Sequence, residues 1–256
     1  MAYNFDAYRS ALSLRGETLR ERNINLLKRD ILVHAKDNPA YKQVIVNDEK
    51  TYAIVNAKSD YTVKEILPMP GERFPFGGIV LFADMPWIIT STDVDDEIYS
   101  RSEMHLCNCV MRWKDKHGKV HSYHGSAEDA TKYSEGVEST QYLRVGEFQL
   151  KVKITVDQYT ALINRDMRFV IDASTYMPDI VANNDRPFVF RTTRRNIVTG
   201  TYPDEGYVEI TLVQDAWLEG QDDYVDMLAA QPWELKEPYD GDKTKTEEPE
   251  NNGGWL

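Results

Sequence analysis

Residues 148–155, Phe-Gln-Leu-Lys-Val-Lys-Ile-Thr, alternate apolar and polar side chains without a break. On an extended chain the four apolar residues, from Phe148 to Ile154, share one face, and the polar residues share the other. A period of two is typical of a strand with one face in a core. The stretch therefore predicts a half-buried β-strand and favours a β fold for the chain around it.

Similar short strands are predicted on both sides of this one, at 44–46, 51–55, 61–67, 79–82, 87–90, 104–113, 119–123, 168–173, 187–192 and 207–213. Turn residues (Gly, Pro, Asn and Asp) separate them, and several neighbouring pairs have the spacing of hairpins, such as 44–46 and 51–55 with the turn Asn47-Asp48 between them. Many short strands of this kind are typical of a barrel or a sandwich. The predicted fold class is mainly β, with a small β-barrel or sandwich body and a short helical N-terminal segment.

The N-terminal segment, residues 1–38, is predicted to be helical. Thr18 suits the N-cap of a helix in which four apolar residues recur at helical spacing: Ile24, Leu27, Ile31 and Leu32. The helical stretch ends at Asn38, because a residue before proline disfavours the α region. Basic residues are concentrated in this segment, so positive charge lies at the front of an otherwise acidic chain; they are Arg15, Arg20, Arg22, Lys28 and Arg29.

Three regions follow from these patterns: the helical segment at 1–38, a β-barrel-type body at 39–217 and a tail at 218–256. The body could consist of two subdomains, 39–125 and 146–217, since a Gly-, Ser- and Glu-rich stretch between them predicts a loop or a short helix. The end of the tail is rich in Glu, Asp, Lys and Pro and has almost no aliphatic residues, which predicts an acidic, largely disordered tail.

The 256 residues carry a formal net charge of −12 at pH 7, which repels phosphate and argues against binding to nucleic acid or anionic membranes. Solubility is the ordinary interpretation of such a charge, and a channel wall that DNA slides past is the more specific one. No run approaches the ~18 apolar residues of a membrane span. The start lacks a signal peptide's apolar core, and the only cysteines, Cys107 and Cys109, fit a reducing cytoplasmic folding site.

One possible metal site is formed by His105, Cys107 and Cys109, with His121 or His124 as a fourth zinc ligand. On a strand the first three residues share a face, but neighbours on that face lie about 7 Å apart. Zinc needs bonds of roughly 2.0 to 2.3 Å and usually takes its ligands from turns. Two buried thiols that act as small apolar residues are the favoured interpretation.

A second cluster is acidic and comprises Asp93, Asp95, Asp96 and Glu97. Grouped carboxylates can bind Ca²⁺ or Mg²⁺ or serve a nuclease. A calcium loop, however, needs a glycine after its alternating oxygens and a distal glutamate at a set spacing, and this stretch has neither. A solvated turn between strands is therefore favoured.

A third cluster is basic and comprises Arg191, Arg194 and Arg195 beside Thr192-Thr193. It could contact phosphate. Pairing with acidic residues of this chain or of a neighbouring subunit is favoured, because one small basic patch hardly offsets the chain's negative field. The sequence contains no nucleophile–base pair that spacing can place. No catalytic, cofactor-binding or metal-binding residue is therefore predicted, and the protein is not expected to be an enzyme.

A series of motifs across about residues 8–215 resembles virion proteins of the head–tail genes of phages and prophages of Gram-positive bacteria. The motifs are Asn38-Pro39-Ala40-Tyr41, Gly77-Gly78-Ile79-Val80, Trp87-Ile88-Ile89, Asp93, Ile98-Tyr99-Ser100-Arg101, Met104, Cys107-Asn108 and Met111-Arg112-Trp113. The chain looks like the head-closure, or stopper, class of neck protein, whose core is a small β barrel. It departs from that pattern in having Gly78 where Asp is common and Ser102 where Gly is common, and in being longer than a minimal stopper.

The resemblance implies a non-enzymatic ring subunit in the neck of the virion, assembled in the cytoplasm of the host bacterium. It implies four contacts: copies of itself in a closed ring of 12 or 6, a portal or adaptor protein on the head side, a tail terminator or tail-tube protein on the tail side, and DNA that passes through without specific binding. No membrane and no cofactor are expected. The alternatives are a tail-completion or tail-tube subunit, a capsid decoration protein and a metal-dependent enzyme built on the histidine–cysteine or aspartate cluster.

Overall fold

The structure is a computed structural model of the chain. It describes residues 16, 18–93, 98, 100–129, 149–171, 188–199, 205–223 and 225–235. Within these residues an α-helix, α1 (Leu19–His34), is followed by a 3-10 helix at Ala35–Asp37. A second 3-10 helix spans Thr160–Leu162.

The rest of the regular structure is β. The strands are β1 (Tyr41–Val46), β2 (Glu49–Ala57), β3 (Val63–Pro68), β4 (Ile79–Phe82), β5 (Met85–Thr92), β6 (Ser102–Leu106), β7 (Cys109–Lys114), β8 (Val120–Asp129), β9 (Gln149–Thr155), β10 (Arg168–Val170), β11 (Val189–Thr199) and β12 (Gly206–Asp215). The prediction of a mainly β chain with a short N-terminal helix is confirmed.

The first sheet is a closed barrel in the order β1-β2-β3-β6-β5-β4, sealed by antiparallel pairing of β1 with β4. The predicted turn at Asn47-Asp48 joins β1 to β2, and both residues take the positive φ that a tight hairpin requires. The interior is filled by apolar side chains: Val44, Val46, Ala53, Ile66, Phe74, Val80, Trp87, Ile89 and Met104. Closure leaves this sheet without an unpaired edge.

The second sheet has six antiparallel strands in the order β10-β11-β12-β9-β8-β7. β9 is central and contains most of the alternating stretch, and its Val152 and Ile154 are fully buried, which confirms the predicted half-buried strand. At the sheet's two ends, Trp113 of β7 contacts Phe169 of β10 edge-to-face, with ring centroids 6.0 Å apart. The sheet therefore curls around its own core and is also barrel-like.

The predicted strand at 104–113 is divided between the two sheets. The chain leaves the barrel at Leu106 and enters the second sheet at Cys109. Asn108, at the crossover, exchanges two hydrogen bonds with the backbone of Ala127: its Nδ2 donates over 2.9 Å and its Oδ1 accepts over 2.7 Å. The apolar alternation continues across this break, so the sequence did not reveal it.

The boundary between the sheets thus lies at residues 107–108, and β8, within the suggested subdomain 39–125, belongs to the second sheet. β8 also runs to Asp129, into the region predicted as a loop or short helix. The remainder of that region, 130–146, lies outside the described residues, as do Phe148 of the predicted strand and 1–15 and 17 of the helical segment.

The folded chain also extends further towards the C-terminus than the predicted body at 39–217. Residues of the stretch 216–235 pack on β10 and β11, where Ala229, Trp217 and Met227 contact Val170 and Val189. This differs from the prediction of a tail that begins at 218. The predicted disorder of residues 236–256 falls outside the described residues.

Arg168 holds this C-terminal stretch in place. The side chain is fully buried, and its Nη1 and Nη2 donate to the two carboxylate oxygens of Asp222 over 2.8 and 3.0 Å. Its Nε donates to Asp215 over 2.9 Å, and Nη2 also donates to the carbonyl of Ala216 over 2.6 Å. The Gln231 amide exchanges hydrogen bonds with the Arg168 backbone. The segment has no apolar period, and these polar contacts hold it in addition to the apolar packing of Ala229, Trp217 and Met227.

The barrel and the second sheet meet at a close approach of two backbones. Gly77 has φ +76°, and a Cβ there would lie 1.6 Å from the carbonyl oxygen of Gly206. Beside it, Arg73 donates from both terminal nitrogens to the Glu205 carboxylate, at 2.6 Å each. The hydroxyl of Thr155 donates to the Gly77 carbonyl over 2.9 Å. Only glycine fits at Gly77, because a side chain would force the two sheets apart.

Gly77→Ala should therefore lower the unfolding free energy by at least about 3 kcal/mol, since backbone atoms must separate. Gly71→Ala is the matched control: Gly71 has φ +94°, but a Cβ there meets nothing within 4 Å. The control should cost only about 1–2 kcal/mol, from positive φ alone. Urea unfolding of both variants measures the difference, and equal costs would contradict the close approach.

Arg168→Met should cost about 3–5 kcal/mol, because it leaves a buried Asp222 carboxylate without its partner. Arg191→Met removes a partly exposed ion pair, in which Arg191 Nη1 lies 3.1 Å from Asp166 Oδ1. It should lower the unfolding free energy by about 1 kcal/mol or less. Limited proteolysis provides a second readout. Cleavage within 216–235 should become faster in the Arg168 variant only, and unchanged cleavage would show that other contacts hold this segment.

Candidate assembly surface

The possible zinc ligands are not brought together. His105 lies on β6 of the barrel and Cys109 on β7 of the second sheet, where its thiol donates to the Gly125 carbonyl over 3.3 Å. Burial raises the pKa of Cys107 and Cys109 to about 12, so both are neutral thiols. Across the described residues, no group of three or more His, Cys, Asp and Glu side chains is arranged to hold a metal ion.

The other two clusters also give little support for a chemical site. Of the acidic cluster only Asp93 is described, and its backbone N–H donates to the Arg101 carbonyl. In the basic cluster, Arg191 pairs with Asp166, and Arg195 donates to the carbonyls of Ala161 and Ile163.

His105 lies between two carboxylates, one from each sheet. Its Nε2 lies 3.2 Å from Glu103 of β6, and its Nδ1 lies 3.2 Å from Glu128 of β8. Lys58 pairs with Glu103, and Lys153 donates to Glu128 over 2.9 Å. The hydrogen bond from His105, followed by that from Lys153, lowers the pKa of Glu128 to about 2. The two ring nitrogens of His105 thus link Glu103 of the barrel to Glu128 of the second sheet.

An aromatic cavity of about 390 Å³ lies at one end of the second sheet. Trp113 stacks on His121 at 5.4 Å, and the His121 ring lies 4.4 Å from that of Tyr159. His121 Nε2 is 3.0 Å from Asp115, whose carboxylate also accepts from backbone N–H groups of the 115–119 turn. This hydrogen bonding lowers the pKa of Asp115 to about 2. The described residues that line the cavity include no Ser, Thr or Cys, and Tyr159 carries the hydroxyl among them.

Helix α1 is the surface feature that the fold leaves unexplained. Its capping box is formed by Thr18 and Glu21, as the N-cap prediction requires, yet none of its 16 residues is buried. One face, with the half-buried Ile24 and Ile31, continues to Ala35, which packs on the barrel residues Ile54, Leu67 and Met69. The helix is therefore attached to the barrel mainly at its C-terminal end.

The opposite face of α1 carries an apolar stripe, defined here as Leu19, Leu26 and Val33. These residues are spaced by seven, about two helical turns, and lie about 140° around the helix from Ile24 and Ile31. Their exposed fractions are 74%, 45% and 62%, which is unusual for a row of large apolar side chains. Helices of this length gain most of their stability from packing, so the stripe has the properties of a contact surface.

Helical spacing in the sequence identified α1 but not this stripe. The predicted apolar row included Leu27 and Leu32, and these are 49% and 52% exposed. A row of leucines and isoleucines does not by itself show which of two faces meets the chain's own barrel. The seven-residue spacing of Leu19, Leu26 and Val33 was the available signal.

No family model matches the sequence, and no curated protein matches it. The chain is weakly similar to solved structures of MrkH, described as a c-di-GMP dependence transcription regulatory factor. That structure shares 8% identity and a TM-score of 0.25, with 77% of this chain and 85% of the other aligned. The K. pneumonia MrkH–c-di-GMP complex shares 10% identity and a TM-score of 0.26, with 73% of this chain and 86% of that chain aligned. The apo state of K. pneumonia MrkH shares 9% identity and a TM-score of 0.27, with 75% of this chain and 87% of that chain aligned. Scores this low support no conclusion about fold or function.

Among the described helices, none is long and apolar enough to cross a membrane. Three features of the described residues stand out: the α1 stripe, the charged contact at His105 and the aromatic cavity. Of these, only the stripe leaves apolar side chains in a row without a partner in the described residues.

The contact at His105 predicts a loss of stability in acid. The pKa of Glu128 is about 2 in the folded chain against a usual 4.5, so its contribution is fully present above pH 4.5 and is lost as the pH falls towards 2. Glu128→Gln should therefore destabilise the protein at pH 6 by about 1 kcal/mol, discounted for partial exposure, and much less at pH 3. Urea unfolding at both pH values measures this, with the exposed Glu49→Gln as control. An equal loss at both pH values would contradict the assignment.

Proposed function

We propose that this chain is a non-enzymatic virion protein that forms a ring in the neck of a tailed bacteriophage, between the portal and the tail. The sequence motifs that resemble head-closure proteins support this proposal, as does the mainly β fold with its closed barrel. In this role the chain contacts copies of itself, a portal or adaptor protein on one side and a tail terminator or tail-tube protein on the other.

The observation that carries the proposal is the exposed stripe on α1. A 16-residue helix with no buried residue and three large apolar side chains in a row gains little from its own monomer. Closed rings need heterologous contacts that repeat around an axis, and a helix that points one face away from its own body suits such a contact.

The charge of the chain fits passage of DNA through such a ring. A net charge of −12 repels phosphate, so the genome could slide through the ring without being retained. The barrel has no open edge, so copies can pack side by side with little risk that barrel strands from different copies join.

The proposal predicts a copy number. Quantitative mass spectrometry of purified particles of the phage or prophage that encodes the chain should find about six or twelve copies per virion. Heavy-isotope peptides of the chain and of the portal protein, measured in the same sample, control for losses. Absence from finished particles would reject the proposal. Many dozens or hundreds of copies would instead indicate a tail-tube or capsid decoration protein.

A further inference from the structure

We infer that the α1 stripe of one copy docks on the acidic segment, residues 215–234, of a second copy. The inference rests on the proposed function in taking the partner to be a neighbouring ring subunit. It names the two surfaces that would join consecutive subunits, one from the barrel half of a copy and one from the second-sheet half of the next.

The donor surface is apolar and basic. Arg22 and Arg29 lie along one side of the stripe, about 60–80° around the helix from Leu19. Across residues 19–34 there are four Lys or Arg residues and two Asp or Glu residues, a net charge of +2. Because the whole chain carries −12, the residues outside 19–34 carry a net charge of −14. A helix of this kind favours an acidic surface with apolar side chains.

The acidic segment has that chemistry. Its sequence contains six Asp or Glu residues and no Lys or Arg. Arg168 binds Asp215 and Asp222, and the other four acidic residues are exposed: Glu219, Asp223, Asp226 and Glu234, the last of which also pairs with Lys114. Val225 lies among them and is 85% exposed, and Trp233 is 38% exposed. Arg168 also holds Asp222 and the carbonyls of Ala216 and Ala230 against one side chain, which lowers the backbone entropy that docking would remove.

The charges favour this contact over the pairing of α1 with α1. Two copies of the helix would bring Arg22 and Arg29 of each towards the same residues of the other, and like charges repel. Within one copy, α1 is attached to the barrel through Ala35 at its C-terminal end, and the stripe stays exposed. A head-to-tail contact between helix and acidic segment avoids the repulsion and can repeat around a ring.

A charge-swap experiment tests the pairing in the full chain. One variant carries Arg22→Glu and Arg29→Glu, and the other carries Glu219→Lys and Asp226→Lys. Sedimentation velocity over a concentration series should show that each variant self-associates at least about tenfold more weakly than the wild type. An equimolar mixture should recover association to within about threefold of the wild type, because reversed helix meets reversed segment. Added salt should weaken the wild-type contact.

Two leucines of α1 provide a matched pair of variants that test the apolar part of the contact. Leu26→Glu on the stripe should weaken association by about ten- to a hundredfold. Leu32→Glu, off the stripe and equally exposed, should associate like the wild type. Circular dichroism and thermal unfolding of each variant in dilute solution show whether the monomer still folds.

Several results would overturn the inference. These are a wild type that stays monomeric at all concentrations, a mixture without rescue, and equal association of the Leu26 and Leu32 variants. A lower melting temperature of the dilute Leu26 variant, with association unchanged, would show that the chain's own N-terminal residues cover the stripe. If particles contain six or twelve copies but the charge-swap mixture shows no rescue, this contact is rejected and the proposed function is not. If the mixture shows rescue but particles lack the chain, the proposed function is rejected and the contact is not.

Discussion

The buried guanidinium of Arg168 is the interaction on which the C-terminal part of the structure depends. It binds both oxygens of Asp222 and one oxygen of Asp215, so two carboxylates of a strongly acidic segment share one buried cation. The other four carboxylates of that segment are exposed. One cation thus turns a stretch without apolar periodicity into a rigid acidic surface, which would be a contact surface for the basic helix of a neighbour.

The two sheets would act as one body in this account. The Gly77–Gly206 approach, the Arg73–Glu205 pair and the charged contact at His105 connect the barrel to the second sheet at separate places. Helix α1 is attached to the barrel, and the acidic segment is attached to the second sheet. A rigid link between them fixes the direction from α1 to the acidic segment within one copy, as a closed ring of identical subunits requires.

Local pattern predicted much of the fold. The alternation in β9, the tight turn at Asn47-Asp48 and the N-cap at Thr18 are short-range features, and the structure confirms all three. The division of 104–113 between two sheets was missed because apolar alternation does not report which sheet a strand joins. The ordered segment after residue 217 was missed because its order comes from Arg168, about 50 residues away in sequence. Long-range polar contacts of this kind leave no periodic signal.

A cryo-EM reconstruction of the assembled ring would show which surfaces join neighbouring subunits. We expect α1 of each copy to lie against residues 215–234 of the adjacent copy, with Leu26 in contact with the neighbour and Arg22 and Arg29 facing its carboxylates. A map in which α1 lies against its own chain or faces solvent, while subunits join through other surfaces, would contradict it.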